Sequence, residues 1–191
     1  MSEAEILNYI TTYADQAHGT QVRKYTGERY IRHPQRVMET VRHYCPQIEV
    51  LAAALLHDVL EDTAVTAGQI EETLRQVMPT QQANKTVRFV IELTDIFVWK
   101  DFPRMNRRTR KEKEASRLAC VSAEAQSIKY ADIIDNVKDI VEQDTDFARV
   151  FVREAKRMLT VMTAGHPELR ARAMALVDRC LLELPSRTAS C

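Results

Sequence analysis

The chain has 191 residues, of which 45% are hydrophobic, and its 27 basic and 27 acidic side chains cancel to a formal net charge of zero. This length suits one domain with a sizeable core, and the balanced charge gives no reason to expect nucleic acid or an anionic membrane as a partner. No apolar run approaches the roughly 20 residues of a membrane span, and the N-terminus lacks the features of a signal peptide. The four cysteines show no C-x-x-C spacing. We therefore expect a cytoplasmic protein with reduced thiols.

The hydrophobic spacing is helical along the chain, without the alternation typical of strands. Only four glycines are present, and the six prolines fall at or between the predicted helix boundaries. These features predict an all-α fold. The predicted helices cover residues 3–18, 34–44, 48–60, 67–77, 80–95, 106–120, 122–142, 145–164 and 167–184. Residues 20–32 are expected to form a small hairpin or an irregular loop, and residues 96–105 a second loop.

No internal repeat, low-complexity tract or linker divides the chain. We therefore expect a single domain over residues 1–185, followed by a short frayed tail over residues 186–191. The oligomeric state does not follow from the sequence.

Two predicted helix ends carry side chains that are able to bind a metal ion. Pro34 fits the first turn of a helix, where its missing N–H costs nothing, so His33 is expected at a helix start with its ring facing a cleft. An apolar helix ends in His57 and Asp58. These two adjacent side chains reach one ion only if the helix bends or ends there.

A later helix supplies a third part of the same pattern. Asp132 and Asn136 are four residues apart and share one helical face, whereas Asp135 lies on a neighbouring face and is expected to be solvated. Together with the earlier residues, Asp132 completes a set of the form H…HD…D, in which imidazole and carboxylate groups suit a hard or borderline divalent cation. That set consists of His33, His57, Asp58 and Asp132.

The residue types around this set indicate hydrolysis of a phosphate ester. A divalent ion lowers the pKa of bound water and polarises a phosphoryl oxygen. Glu61 and Asp62 follow the HD pair by about one turn, where carboxylates are placed for proton transfer. The chain has no glycine-rich phosphate loop of the form G-x-x-x-x-G-K-[ST]. Side-chain cations are therefore expected to neutralise the phosphates.

Four blocks in order, at residues 14–24, 27–34, 54–63 and 129–136, resemble those of the HD-domain metal-dependent phosphohydrolases. The pattern is most similar to the hydrolase domain of the RelA/SpoT alarmone enzymes of the stringent response and to the small alarmone hydrolases. This resemblance implies a helical HD-domain bundle of about eight to ten helices. It also implies an enzyme that removes pyrophosphate from the ribose 3′ position of ppGpp and pppGpp.

The resemblance also assigns a role to each matching residue. His33, His57, Asp58 and Asp132 would hold one manganese ion. Glu61 and Asp62 would activate or orient the attacking water and help proton transfer. The nucleotide would be contacted by Arg23, Lys24 and Asn136.

Some positions depart from this family pattern. A basic residue usually follows the late Asp and an aromatic residue or His precedes the Asn, but here Ile133 and Asp135 stand at these positions. The segment 93–110 is longer and more aromatic than in the compact members, and it leads into a basic run at residues 104–113. That run is either a solvated helix face, since Glu112 and a second glutamate interleave, or a lid over phosphates.

These departures do not affect the predicted metal ligands, but they leave the identity of the substrate undetermined. One alternative is hydrolysis of another nucleotide, such as NADPH or a nucleoside phosphate. A second alternative is a nucleotide-binding or protein-interaction module with vestigial catalysis. The intact pair Glu61 and Asp62 argues against the second, because a pure binding protein does not need both beside a metal site.

Overall fold

The computed structural model describes residues 1–184, and within them it contains ten α-helices and no β-strand. The helices are α1 (Glu3–His18), α2 (Arg32–Arg42), α3 (Ile48–Leu56), α4 (Val59–Asp62), α5 (Ala67–Arg75), α6 (Thr80–Leu93), α7 (Arg107–Leu118), α8 (Ala123–Gln143), α9 (Thr145–Val161) and α10 (Pro167–Glu183). The prediction of an all-α bundle is confirmed. The predicted tail at residues 186–191 lies outside the described residues.

Helix α3 forms the centre of the bundle. Every residue from Val50 to Leu56 is buried, as expected for a helix that is apolar on all sides. It packs against α1, α2, α6 and α8. Because α3 is enclosed by these helices, the residues directly after its C-terminal end lie in the interior of the protein.

Helix α8 lies across the same core and is the longest helix, with 21 residues. It packs against α2, α3, α6, α9 and α10. Asp132 and Asp135 are buried along it, so two carboxylates of α8 face neighbouring helices and not water. Despite this length, neither α8 nor any other helix in residues 1–184 is both long and apolar enough to span a membrane.

The predicted helix over residues 48–60 is wrong in one respect, because it is interrupted at His57 and Asp58. The His57 ring donates through Nδ1 to the carbonyl oxygen of Ala54, at 2.8 Å. An uninterrupted helix would offer that carbonyl to the N–H of Asp58. The side chain has taken the place of a backbone donor, and the chain resumes as the short helix α4.

The loop between α1 and α2 forms a minimal hairpin, as one of the two sequence expectations proposed. Val22 and Arg29 form an isolated antiparallel bridge. Gly27 has φ +70° at the turn, a conformation that glycine adopts without the steric cost borne by other residues. This hairpin carries Arg23 and Tyr30 towards α8 and the end of α3.

The segment between α6 and α7 is held by a buried carboxylate. Glu114 of α7 accepts hydrogen bonds from the backbone N–H groups of Ile96 and Phe97, both at 3.1 Å. Arg117 pairs with the same carboxylate. These contacts fix the start of the loop against α7, which in turn packs on α9.

Gly165 provides a direct test of the packing between α8 and the turn that follows α9. A Cβ atom at Gly165 would lie 2.5 Å from a ring carbon of Tyr130 and 3.0 Å from the backbone of Ser127. We expect Gly165→Ala to destabilise the protein by about 1–3 kcal/mol because the buried ring must move. Gly68→Ala is the matched control, since Gly68 lies in α5 and a Cβ there meets nothing within 4 Å. Denaturant unfolding measures both, and equal stability of the two variants would contradict this packing.

Candidate metal centre

Two buried imidazole rings meet between α2 and the end of α3. His33 and His57 are 1% and 2% exposed, and their ring centroids lie 5.2 Å apart. His33 lies at the start of α2 directly before Pro34, where the sequence predicts it. In both rings Nδ1 is engaged in a hydrogen bond, to Asp135 for His33 and to Ala54 for His57. The Nε2 atoms are therefore directed into the space between the rings.

Two carboxylates complete this group. One oxygen of Asp58 lies 3.5 Å from Nε2 of His33 and 3.2 Å from Nε2 of His57. One oxygen of Asp132 lies 3.2 Å and 3.7 Å from the same two nitrogens. The fold thus brings together His33, His57, Asp58 and Asp132 from three separate parts of the sequence.

These separations fit the coordination shell of a single ion. Donor atoms about 2.1 Å from one ion lie about 3.0 Å apart at right angles and about 3.4 Å apart at tetrahedral angles. Donor atoms of His33, His57 and Asp58 all lie within 4.8 Å of one another, and Asp132 adjoins both rings. In addition, Nε2 of His57 is buried without a hydrogen-bond partner among residues 1–184. A buried polar atom of this kind is costly unless it binds something, and a metal ion would satisfy it once the ring is neutral.

The charges of the two carboxylates control the protonation of the rings. Burial opposes a positive charge on His57, yet Asp58 and Asp132 outweigh this effect and raise the pKa of the ring to about 9. Burial likewise opposes the charge of His33, but Asp132, Asp135 and Asp58 raise its pKa. A divalent cation stabilises the same carboxylates without a proton, so its binding would displace protons from the rings.

Each carboxylate has a further partner that fixes its orientation. Tyr30 donates its hydroxyl to Asp58 at 2.8 Å, and Lys129 lies 2.8 Å from Asp132. Although burial favours the protonated acid, the Lys129 ammonium and the His33 and His57 rings hold the pKa of Asp132 well below its usual range. Asp132 is therefore present as a carboxylate, the form that binds a metal ion.

Glu61 and Asp62 lie on α4, at the exposed rim of this centre. Glu61 accepts a hydrogen bond from the backbone N–H of Asp95. Although the residue as a whole is exposed, local burial of its carboxylate, together with the charges of Asp95 and Asp58, raises its pKa to about 7. Asp62 lies 3.5 Å from the amide of Gln21. Of the two, Glu61 is held more firmly.

One of the three predicted nucleotide-binding residues contacts Asp132 directly, and a second contacts it through the first. Arg23 donates to Asn136 at 2.8 Å and to Asp139 at 2.9 Å, and Asn136 in turn donates to Asp132. The third, Lys24, is exposed at the edge of this region, 4.6 Å from the ring centre of Tyr25. Asp132, Asn136 and Arg23 thus form a continuous series of contacts that leads away from the metal centre.

A cavity of about 160 Å³ opens beside Asp132. Its polar wall carries three cationic and three carboxylate side chains, and its apolar wall comes from α8 and α9. It is lined by Asp95, Arg107, Lys111, Lys129, Asp132, Ile133, Asn136, Phe147, Phe151, Glu154 and Met158. A larger groove of about 490 Å³ along α1 holds none of the predicted site residues. Of these two cavities, the smaller one therefore adjoins the candidate metal centre.

The basic run at residues 104–113 is divided between two faces of α7, and the expectation of a solvated face holds for only one of them. Arg107 and Lys111, one helical turn apart on α7, line the cavity, where they pair with Glu154 and Asp95. Arg108 lies outside the cavity lining and pairs with Glu112 on the same helix; its side chain is 75% exposed, compared with 45% for Arg107. One face of α7 is solvated, and the other contributes cations to the cavity.

Sequence reasoning missed several partners of the predicted ligands. Tyr30 and Lys129 lie inside the matching blocks but received no role, although their positions in those blocks were the available signal. Asp135 was predicted to be solvated, and this is wrong: it is 8% exposed and bonds His33. Glu154 and Asp95 carried no signal in the sequence, because their importance depends on how α7 and α9 pack.

With this geometry in view, comparison with known proteins identifies the family. A sequence profile described as an HD domain matches residues 11–176. The chain belongs to the HD-domain family. The prediction from the four sequence blocks is therefore confirmed, and family membership together with the group of His33, His57 and Asp58 indicates a divalent metal centre.

Two kinds of HD-domain relative resemble the chain in sequence. The MESH1 proteins of mouse and human, named guanosine-3′,5′-bis(diphosphate) 3′-pyrophosphohydrolases, are 32% identical over 142 residues, covering 73% of this chain and 72% of theirs. A protein of the same enzymatic name from Aquifex aeolicus is 30% identical over 140 residues, but this match covers only 18% of that longer protein.

A solved structure confirms the fold. It is described as a metazoan orthologue of SpoT that hydrolyses ppGpp, and it superposes with a TM-score of 0.75 at 23% identity. The match covers 91% of this chain and 94% of the other. The arrangement of helices is therefore that of the HD domain along most of the chain.

The metal centre can be tested by removing one donor. We expect His57→Ala to reduce the Mn²⁺ content after equilibrium dialysis from about one ion per chain to nearly none, because the loss of one of so few protein ligands opens the centre to water. His43→Ala is the control, since His43 is exposed and remote from the cluster. Elemental analysis measures the content, with circular dichroism to verify folding. Wild-type metal content in folded His57→Ala would remove His57 from the ligand set.

Proposed function

We propose that this chain is a metal-dependent phosphohydrolase that removes pyrophosphate from the 3′ position of ppGpp and pppGpp, with manganese as its ion. The observation that carries the proposal is the convergence of His33, His57, Asp58 and Asp132 beside a cavity lined by three cations. The names of the relatives that share its family and fold support the same substrate.

The metal would be held by the two imidazoles and the two carboxylates. When bound, it would supply a Lewis acid for the phosphoryl oxygen and would lower the pKa of a water molecule. The protein's own contribution is to hold these donors rigidly. Tyr30 fixes Asp58, and Lys129 fixes Asp132, so little reorganisation is needed when the ion enters.

Glu61 is the proposed general base. Its carboxylate is oriented by the backbone N–H of Asp95, and its pKa of about 7 suits proton transfer near neutral pH. The reaction breaks the bond between the ribose 3′ oxygen and phosphorus, so one proton must leave the attacking water and one must reach the departing oxygen. Asp62, on the same short helix, is proposed to assist this transfer.

The substrate's phosphates would be neutralised by side chains and not by a backbone loop. Asn136, Arg107 and Lys111 line the cavity, and Arg23 donates to Asn136. Lys24 and Arg107 both lie over the ring of Phe147, at 6.0 and 5.2 Å from its centre. Phe147, Phe151 and Met158 give the cavity an apolar surface suited to a ribose or a base. A nucleotide that carries several phosphates matches this group of cations.

We further propose that the chain acts in the cytoplasm as a single HD-type domain over residues 1–185. Its partner is a small nucleotide and not a nucleic acid, because the chain carries no net positive charge with which to attract a polynucleotide.

A substrate panel tests the function. We expect Mn²⁺-dependent release of pyrophosphate from ppGpp and pppGpp, with much weaker action on GDP or GTP, because these nucleotides lack the 3′-diphosphate that would replace the carboxylate partners of the cavity cations. Ion chromatography separates the products. Orthophosphate release from NADPH with ppGpp left intact would assign a different nucleotide substrate. No turnover of any nucleotide with Mn²⁺ bound would favour the binding-module alternative.

Substitution of Glu61 separates catalysis from metal binding. We expect Glu61→Gln to lower kcat by roughly 10²–10⁴-fold while Mn²⁺ content stays at the wild-type level. As a base, Glu61 acts when deprotonated, so at saturating Mn²⁺ wild-type activity should fall as the pH drops below about 7, and Glu61→Gln should lose this dependence. Asp62→Asn is measured in parallel. If one of these variants lost metal as well as activity, the substituted residue would be a structural support of the metal centre. If a variant kept wild-type turnover, its residue would be excluded from the mechanism.

The cations of α7 are expected to bind substrate in its ground state. Arg107→Ala and Lys111→Ala should each raise KM more than they lower kcat, because they neutralise phosphates without touching the reacting bond. Arg108→Ala is the matched control on the same helix, since Arg108 pairs only with exposed Glu112. Steady-state kinetics on ppGpp provide the measurement. If Arg108→Ala changed KM as much as the other two variants, the cavity would not be the phosphate-binding surface.

A further inference from the structure

The geometry points to Asp135 as a positioning residue that orients the metal ligand His33 and strengthens it as a donor. This inference rests on the proposed metal centre and goes beyond it, because Asp135 lies outside the predicted ligand set and was expected to be solvated. Asp135 occupies the α8 position between Asp132, one turn earlier, and Asn136.

The contact between Asp135 and His33 is direct and buried. Oδ2 of Asp135 lies 2.7 Å from Nδ1 of His33, and the side chains are 10% and 1% exposed. Because Nδ1 carries the hydrogen in this bond, Nε2 is left as the donor atom on the opposite edge of the ring. That atom faces Asp58 and Asp132 at 3.5 and 3.2 Å.

Asp135 is itself held from its other side. Arg36 donates to both of its carboxylate oxygens, from Nε at 2.8 Å and from Nη2 at 3.0 Å. Glu28 accepts from Nη1 of Arg36 at 2.6 Å. His33 and Arg36 are three residues apart on α2 and share one face of this helix, so both side chains donate hydrogen bonds to the same carboxylate of α8.

The two imidazoles of the centre are therefore supported differently. His57 donates to a neutral backbone carbonyl, that of Ala54, whereas His33 donates to a carboxylate. A hydrogen bond to an ionised acceptor is roughly twice as strong as one between neutral groups. It also increases the electron density available at the opposite nitrogen, which makes His33 the more basic ligand.

The test measures metal affinity and folding separately. Mn²⁺ affinity is determined by competition with a fluorescent chelator at constant pH, for the wild type and for Asp135→Asn, which keeps the shape of the side chain and removes its charge. Asp139→Asn is the matched control: Asp139 lies one turn later on α8, pairs with Arg23 at 2.9 Å and approaches Arg36 at 3.8 Å, but it contacts no histidine. Thermal unfolding of the metal-stripped variants reports stability.

We expect Asp135→Asn to weaken Mn²⁺ binding by roughly 10–100-fold, with little change in affinity for Asp139→Asn. Arg36→Ala removes the hydrogen bonds of Arg36 to Asp135 but keeps the Asp135 carboxylate, so it should weaken Mn²⁺ binding by a smaller factor. If Asp135→Asn lowers only the unfolding temperature and leaves affinity unchanged, Asp135 is a structural tie between α2 and α8 and the inference is overturned. If Asp135→Asn does not fold, unchanged affinity in Arg36→Ala overturns it equally. A wild-type protein that binds no divalent ion would instead remove the metal centre itself.

Discussion

The arrangement of this molecule depends on two carboxylates, Asp58 and Asp132, that are held against two buried imidazole rings. Placing so much ionisable surface inside a protein is unfavourable unless each group has partners. The fold supplies them from separate elements: the hydroxyl of Tyr30 from the hairpin, the ammonium of Lys129 from α8 and the carboxylate of Asp135 behind His33. The helices that surround α3 are thus packed around a charged centre as well as around an apolar core.

The interruption between α3 and α4 shows how a local bond produces this centre. On a regular helix His57 and Asp58 would point about 100° apart. Here α3 ends at Leu56, the His57 ring donates to the carbonyl of Ala54, and the side chains of His57 and Asp58 meet beside Asp132. The same interruption starts α4, which presents Glu61 at the rim. The interruption between α3 and α4 therefore positions both the predicted ligands His57 and Asp58 and the proposed base Glu61.

Much of this arrangement could be predicted from the sequence, because it depends on local patterns. Apolar periodicity located nearly all the helices, Pro34 marked the start of α2, and four ordered sequence blocks identified the family. The predicted helix nevertheless ran on to residue 60, since Val59 and Leu60 continue the apolar run, although the HD pair required a bend or an end there if both side chains were to bind one ion. Helix boundaries elsewhere differ from the prediction by at most a few residues, as is usual at helix ends.

The remaining differences arise from packing between distant elements. Asp135 lies on a face of α8 that the sequence alone would leave in water, and only the approach of α2 buries it. The basic run of α7 likewise gives no sign of which cations point inward. The packing of α9 determines this, because Glu154 of α9 accepts two hydrogen bonds from Arg107 beside the cavity. The sequence therefore contains the charged groups, but the tertiary fold determines their partners.

The pairing of every cation in the cavity with a carboxylate has a consequence for how a polyanion would enter. Arg107, Lys111 and Lys129 are matched by Glu154, Asp95 and Asp132, so the formal charges of this wall cancel. A neutral wall exerts little long-range attraction, and capture of a nucleotide then depends on short-range exchange of one ionic partner for another. The contribution of this wall to the encounter rate should therefore vary little with ionic strength, unlike that of a cleft with a strong positive potential.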